Sequence, residues 1–220
     1  MSSITFEAVT PPKEILSYWM GRLYKKKLTT TLGGNLSLID DDGTLYITPS
    51  GSDKAIISPE NVAYRKPNSY KFEGPLKPSM EWLLHTLIYN KRKDVRGVLH
   101  AHSMSLIAFS LHDNLQVPDT SCHLGAWQSC GKVSFVPYVI PGSADLASKA
   151  AEALIDSDCV ILQNHGVVTV GKTLRQAYDR FITLEYMARS FEYSAVLGVP
   201  RPLPDFVLNP KIVNKKLKGK

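Results

Sequence analysis

Three features of the sequence predict an α/β fold, a central and mainly antiparallel sheet with helices on both faces (αβα). Segments with helical hydrophobic spacing are interleaved with short strand-like segments along the 220 residues. Two pairs of strand-like segments are joined by turns short enough to make hairpins, which sets antiparallel neighbours. The strands RGVLHAH and CVILQ are apolar over most of their length, as strands covered on both faces are.

The elements follow in order. After a polar leader and Pro11-Pro12, KEILSYWMGRLYKKK places Ile15, Leu16, Trp19, Met20 and Leu23 at helical spacing, which predicts an amphipathic packing helix. NLSLI and TLYIT then flank DDDG, whose Asp and Gly residues accept the positive φ angles of a tight turn, so a hairpin is expected. Gly33, Gly34 and Asn35 open its first strand and Pro49, Ser50 and Gly51 close its second; antiparallel pairing sets these ends side by side. Residues 52–76 are irregular and polar, with SPEN a helix start and FEGPLKP a loop. KPSMEWLLHTLIYNKR predicts a helix with Ser79 as N-cap, Glu81 in its first turn and Met80, Leu83, Leu84, Leu87 and Ile88 on its apolar side. His85, one turn after Glu81, is expected at the surface or behind the site, not as a ligand.

The strand RGVLHAH is followed by a helix, SMSLIAFSLHDN, capped by Ser103, and then by the less regular stretch 117–142, in which VSFVPYVI is a strand. Gly142 and Ser143 start a second helix, ADLASKAAEALI. CVILQ and VVTVG make another hairpin around His165, where Gly166 permits a turn. Thr173 and Gln176 read as the capping box of a long helix that ends at Gly198.

Composition narrows the class. With 44% hydrophobic and 21% charged residues the chain is globular, and its length, without an internal linker, predicts a single domain over 1–220 with its core at about 12–200. No apolar run approaches bilayer length and no signal-peptide pattern stands at the N-terminus, so no membrane is expected. Cys122, Cys130 and Cys159 form neither a CxxC motif nor an even disulfide set, which suits a reducing, cytoplasmic setting. The net charge of +6 owes much to five of the 26 basic residues in KIVNKKLKGK, a basic C-terminal tail at 210–220. No nucleic-acid motif accompanies it, so no nucleic acid is expected, and the mildly basic body suits an anionic small substrate. The GxGxxG and GxxxxGK[ST] fingerprints are absent, which speaks against a nucleotide.

The stretch that organises the rest is VLHAH. Side chains alternate along a strand, so His100 and His102 leave the same face, a metal-ligand geometry. Open catalytic zinc sites use three protein ligands, and His165, at the end of an apolar strand, offers a third, with Glu81 as a carboxylate. The Gly-rich strand end and the PSG turn offer backbone N–H groups and short side chains of the kind that hold phosphate.

GGNLSL, YITPSG, KPSMEWLLH, VLHAHS and LQNHGVVTVG stand in the order and approximate spacing of the class II aldolase/adducin family, and the chain resembles its fuculose-phosphate aldolase branch over roughly residues 12–200. The resemblance implies a zinc enzyme (one Zn2+ per subunit, or another divalent metal), usually a homotetramer with active sites between subunits. It puts the metal ligands on His100, His102 and His165, with Glu81 as the catalytic carboxylate that also reaches the metal. It puts phosphate binding on Gly34, Asn35, Ser50, Gly51, Ser79 and Met80. The implied reaction cleaves a ketose 1-phosphate to dihydroxyacetone phosphate and an aldehyde: the metal stabilises the enediolate charge and Glu81 moves its proton.

Two positions depart from the family pattern. Met80 stands where a second Ser is usual, removing one phosphate hydroxyl. The family's tyrosine proton donor, expected after VPDT, is missing; Cys122 and His123 occupy that stretch, and His123 becomes the candidate donor, reaching a neighbouring subunit's metal. Sugar-phosphate 4-epimerase, dehydratase and decarboxylase chemistry share the same ligands, although Glu81 in place of Asp speaks against the epimerase. A non-catalytic adducin-like interaction module is the rival of another class, and the retained histidines and glutamate speak against it.

Overall fold

The computed structural model describes residues 6–112 and 117–208, so the basic tail 210–220 lies outside the described residues. A single helical turn, α1 (Phe6–Val9), leads into α2 (Pro12–Lys25), which begins at a proline whose missing N–H costs nothing in a first turn. Ile15, Leu16, Trp19, Met20 and Leu23 of α2 are all buried, as their spacing predicts. β1 (Asn35–Ile39) and β2 (Leu45–Ile47) form the first hairpin, with Gly43 at φ 83° in its loop. Where SPEN predicted a helix start there is only a 3-10 turn, Pro59–Asn61, leading into an unexpected edge strand, β3 (Ala63–Arg65). Three residues are too few to show a period.

α3 (Trp82–Lys91) and β4 (Gly97–Ala101) come next, then α4 (Met104–Ser110), capped as expected by Ser103, which accepts from the Leu106 N–H at 3.3 Å. The stretch 117–142 holds a short helix missed in the sequence, α5 (Leu124–Cys130), and a strand, β5 (Val133–Val136), that stops before Pro137 and so is shorter than VSFVPYVI. α6 (Ala144–Ala153) starts behind Ser143, β6 (Cys159–Leu162) and β7 (Gly166–Gly171) make the second hairpin, and α7 (Leu174–Ser194) follows the Thr173 cap. A 3-10 turn, Ala195–Leu197, and Gly198 at φ 113° end α7 before α8 (Asp205–Leu208).

The strands form one sheet in the order β3-β2-β1-β4-β7-β6-β5, antiparallel throughout except for the parallel β5–β6 pair. Strand alternation divides the core into two layers. Leu36, Leu38, Leu99, Ala101 and Ile161 pack with α2, α4, α5 and α7, whereas Val98, Val160, Val168 and Val170 pack with α3 and α6. Burying one such aliphatic side chain contributes roughly 1.5–3 kcal/mol, so a one-residue slip of β4 would exchange both layers. Register puts His100 directly opposite Asn35 on β1 and Val168 on β7.

Candidate metal centre

Alternation along β4 places His100 on the α3 and α6 side, and His102 follows one residue past the strand end. His165 comes from the turn between β6 and β7. The left-handed residue of that turn is Asn164 (φ 56°), not Gly166 as the sequence suggested. Gly166 is needed for a different reason: a Cβ there would lie 2.7 Å from the Ala101 carbonyl and 2.9 Å from the His102 ring. Gly34, at φ 73°, likewise lets the β1 entry run against the His100 carbonyl, which a Cβ would meet at 2.9 Å.

The ligand nitrogens of His100, His102 and His165 lie within 4.8 Å of one another. His100 Nδ1 donates to the Val167 carbonyl at 3.1 Å, which fixes the tautomer and leaves Nε2 as the lone-pair nitrogen facing inward. Glu81 completes the group, Oε2 3.2 Å from His100 Nε2 and Oε1 3.5 Å from His165 Nε2. Burial is the main influence on the three imidazoles and holds each below its ordinary pKa, His165 at about 4, so they are neutral at physiological pH, the form in which an imidazole can bind a metal. Burial by itself would raise the Glu81 carboxyl; facing His100, the Asn35 hydrogen bond and His165 outweigh it and bring it to about 2.

Glu81 Oε1 and His165 Nδ1 are buried without a hydrogen-bond partner among the described residues. Buried polar atoms are nearly always paired, and a carboxylate oxygen left over among three neutral imidazoles is what a bound cation would satisfy. Three nitrogen donors with a carboxylate beside them fit a divalent ion that keeps a position open.

The start of α3 corrects one expectation. Glu81, not Ser79, is the N-cap residue, and Ser79 lies two residues earlier, its Oγ accepting from the Glu81 N–H at 3.2 Å. Glu81 makes no capping bond with its own side chain, so its carboxylate is free to face the histidines.

Behind Glu81 runs a buried chain of hydrogen bonds absent from the sequence reading. Asn35 Nδ2 donates to Glu81 Oε2 at 2.8 Å, so Asn35 Oδ1 must accept from His85 Nε2 at 2.5 Å. His85 Nδ1 then accepts from Ser37 Oγ at 2.6 Å, and Ser37 accepts from the Tyr89 hydroxyl at 2.8 Å. Every member donates toward an ionised Glu81, and the chain requires a neutral His85, which burial holds at about 3. Far from the surface, His85 is fully buried. A signal existed in the spacing: Glu81, His85 and Tyr89 recur every four residues on a helix, about 6 Å apart in rise, and Asn35 and Ser37 every two on a strand, about 6.6 Å.

Gly34, Asn35, Ser50, Gly51, Ser79 and Met80 line a 300 Å³ cavity together with Glu81, His102 and His165. Two backbone bonds bring the segment before α3 against the hairpin end, Ser50 N–H to Lys77 O at 3.0 Å and Ser79 N–H to Thr48 O at 3.2 Å. Those two amides are spent, which leaves the hydroxyls of Ser50 and Ser79 among the groups that could donate to a ligand. Met80, 71% exposed, stands at the rim. Lys54 also lines the cavity and was not singled out by the sequence. His123 is elsewhere: it caps α5 through the Ala126 N–H at 3.2 Å and packs 6.2 Å from the Tyr186 ring of α7, in the layer across the sheet from His100.

Residues 14–191 match the family described as class II aldolase and adducin N-terminal domain. An L-fuculose phosphate aldolase of Methanococcus maripaludis is 35% identical over 170 residues, 76% of this chain and 88% of that protein. A 3-oxo-tetronate 4-phosphate decarboxylase of Haemophilus influenzae is 31% identical over 184 residues, 81% of this chain and 86% of that protein. A solved structure of L-fuculose 1-phosphate aldolase shares the fold with a TM-score of 0.82 at 29% identity, covering 94% of this chain and 96% of that one. The sheet, the two helical layers and the match over most of the sequence lead to one conclusion: the chain belongs to the class II aldolase and adducin family, as an enzyme of the lyase kind.

Proposed function

We propose that this enzyme is a zinc-dependent aldolase that cleaves a ketose 1-phosphate to dihydroxyacetone phosphate and an aldehyde. The observation that carries the reading is an ionised carboxylate, Glu81, set 3.2 Å from His100 and 3.5 Å from His165 and backed by Asn35. His100, His102 and His165 would hold the ion, and Glu81 stands beside them. The ion, when bound, supplies Lewis-acid stabilisation for negative charge that develops on substrate oxygens. Glu81 takes and returns the proton at the carbon beside the carbonyl, and Asn35 keeps it aimed and ionised. Gly34, Asn35, Ser50, Gly51, Ser79 and the Met80 backbone form the phosphate end of the cavity. In a cytoplasmic homotetramer, His123 of one subunit serves as proton donor at the site of the next.

A decarboxylase is the second reading, favoured by a specific observation. Cleaving an aldol bond needs a base for the proton of the hydroxyl that becomes the aldehyde oxygen, and the expected tyrosine is absent while His123 lies across the sheet from its own subunit's histidines. Losing carbon dioxide from a 3-oxo acid leaves the same kind of enolate and needs a proton only at carbon, which solvent delivers by way of Glu81. The deciding experiment is a panel of ketose 1-phosphates assayed for dihydroxyacetone phosphate and 3-oxo-tetronate 4-phosphate assayed for carbon dioxide. Release of carbon dioxide alone would replace the aldolase reading.

A further inference from the structure

Lys54 lies in the irregular polar stretch after the first hairpin, where the sequence gives no reason to expect anything but a solvated lysine. It is 1% exposed and is among the largest of the fully buried side chains of the described residues. Its backbone N–H is anchored on the Thr31 carbonyl at 2.9 Å and its Nζ donates to the Pro49 carbonyl at 2.9 Å. An ammonium has three hydrogens, so two are left without a protein acceptor among the described residues, and no carboxylate pairs with it there. Burial lowers its pKa to about 8, which leaves it mostly charged at neutral pH.

A buried charge without a partner is costly, and proteins otherwise neutralise or pair it. If Lys54 served only to tie its loop to Pro49, an apolar side chain of similar volume would fill the space without that cost. The lysine lines the same cavity as Asn35, Ser50, Gly51 and Ser79, whose remaining donors are all neutral. We infer that Lys54 is the counter-charge for the substrate, a specificity-determining cation that selects a phosphomonoester dianion by giving its two free N–H bonds to the phosphate oxygens. This rests on the reading of the cavity as the phosphate end of the site. It also offsets the family hydroxyl lost at Met80, because one charge-assisted bond is worth about two neutral ones.

Two measurements test it on the metal-loaded full-length protein. The first follows the Lys54 side-chain resonance by NMR, assigned by its disappearance in Lys54→Met, through a pH titration with and without inorganic phosphate. Its pKa should climb by about one unit or more in phosphate, as an ammonium gaining an anion must. An unchanged titration at saturating phosphate would overturn the inference. The second compares phosphate dissociation constants by calorimetry for wild type, Lys54→Met, Lys54→Arg and Ser79→Ala. Lys54→Met should weaken binding by about tenfold or more and Lys54→Arg by much less, since the charge is kept. Weakening by Ser79→Ala but not by Lys54→Met would remove Lys54 and leave the phosphate cavity standing. Indifference to every variant would overturn the cavity reading and Lys54 with it.

Discussion

Two cavities open at opposite ends of the central strands, and the smaller one holds the histidine cluster's neighbours Glu81, His102 and His165. A 540 Å³ cavity lies where β1 ends and β4 begins, bounded by Pro11, Pro12, Asp41, Arg96 and Leu174. Its charges are paired, hydrogen-bonded or solvated: Arg96 pairs with Asp41 at 2.7 Å, Glu7 accepts from Trp19 Nε1 at 2.7 Å and the Arg175 N–H at 2.6 Å, Asp40 accepts from the Asp41 N–H at 2.9 Å, and Lys172 is exposed. Among the described residues, the lining of the 300 Å³ cavity at the other end includes a carboxylate oxygen and an imidazole nitrogen without hydrogen-bond partners, and a buried lysine without a counter-ion. Volume would choose the first; unmet chemistry chooses the second. Buried polar groups destabilise the chain unless something binds them, so their concentration at one end marks where a ligand is expected.

The largest expected effect separates the two ends outright. His100→Ala should reduce bound metal to below about a tenth of an ion per chain by elemental analysis and turnover by on the order of a thousandfold or more. Arg96→Ala, at the far cavity, should leave both within about twofold, because a paired and half-exposed arginine contributes little. An Arg96 variant as damaged as the His100 variant would erase the distinction.

Glu81→Gln comes next. It preserves volume and the Asn35 contact but removes the base, so turnover should fall by on the order of a hundredfold or more with metal content and melting temperature nearly unchanged. Full turnover in that variant would take Glu81 out of the mechanism.

What the sequence disclosed and what it withheld divide along a physical line. Period-two alternation made His100 and His102 legible as a pair, and the hairpin signal placed Asn35 beside Ser50 before any coordinates. These depend on local geometry. The Ser79 cap was misplaced because a Ser two residues before Glu81 looks the same in sequence whether it caps the helix or the turn before it. β3 is too short for a pattern, and the parallel β5–β6 pairing depends on a crossover that no local window shows. His85 was legible as a residue behind the site, but its complete burial and that of Lys54 were not, for one reason: their burial comes from α3 lying over β1 and from a loop folding under the hairpin. A charged residue in a polar stretch carries no mark of that.

His85 sharpens the comparison at intermediate size, because it touches neither metal nor cavity. His85→Gln should lower turnover by about ten- to a hundredfold through misorientation of Asn35 and Glu81, with substrate KM and metal content little changed. Tyr89→Phe removes only the far end of the chain and should cost about 1 kcal/mol of stability with turnover within about twofold. Equal losses from both would mean that the chain supports the fold, not the aim of Glu81.

The smallest effect is on stability and depends on pH. Burial lowers the pKa of the Lys54 ammonium from the 10.5 of an ordinary lysine, which the unfolded chain keeps, to about 8 in the fold. Below pH 8 both states carry the proton and the burial penalty is fully present; between pH 8 and 10.5 the unfolded chain binds a proton that the fold lacks, so stability rises with pH; above 10.5 the penalty is gone. Lys54→Met never carries the charge. In phosphate-free buffer its stability should therefore exceed that of wild type by on the order of 2–3 kcal/mol at pH 7, several degrees in Tm for a chain of this size, and the advantage should shrink across pH 8 to 10.5. Phosphate at pH 7 should narrow the gap from the other side by stabilising only the wild type. The matching replacement at the other cavity, Arg96→Met, has no such window, since its guanidinium stays charged throughout and is already paired. A Lys54→Met advantage that held constant over the whole pH range would mean that the ammonium is compensated within the fold, and the two ends of the sheet would then differ only in their histidines.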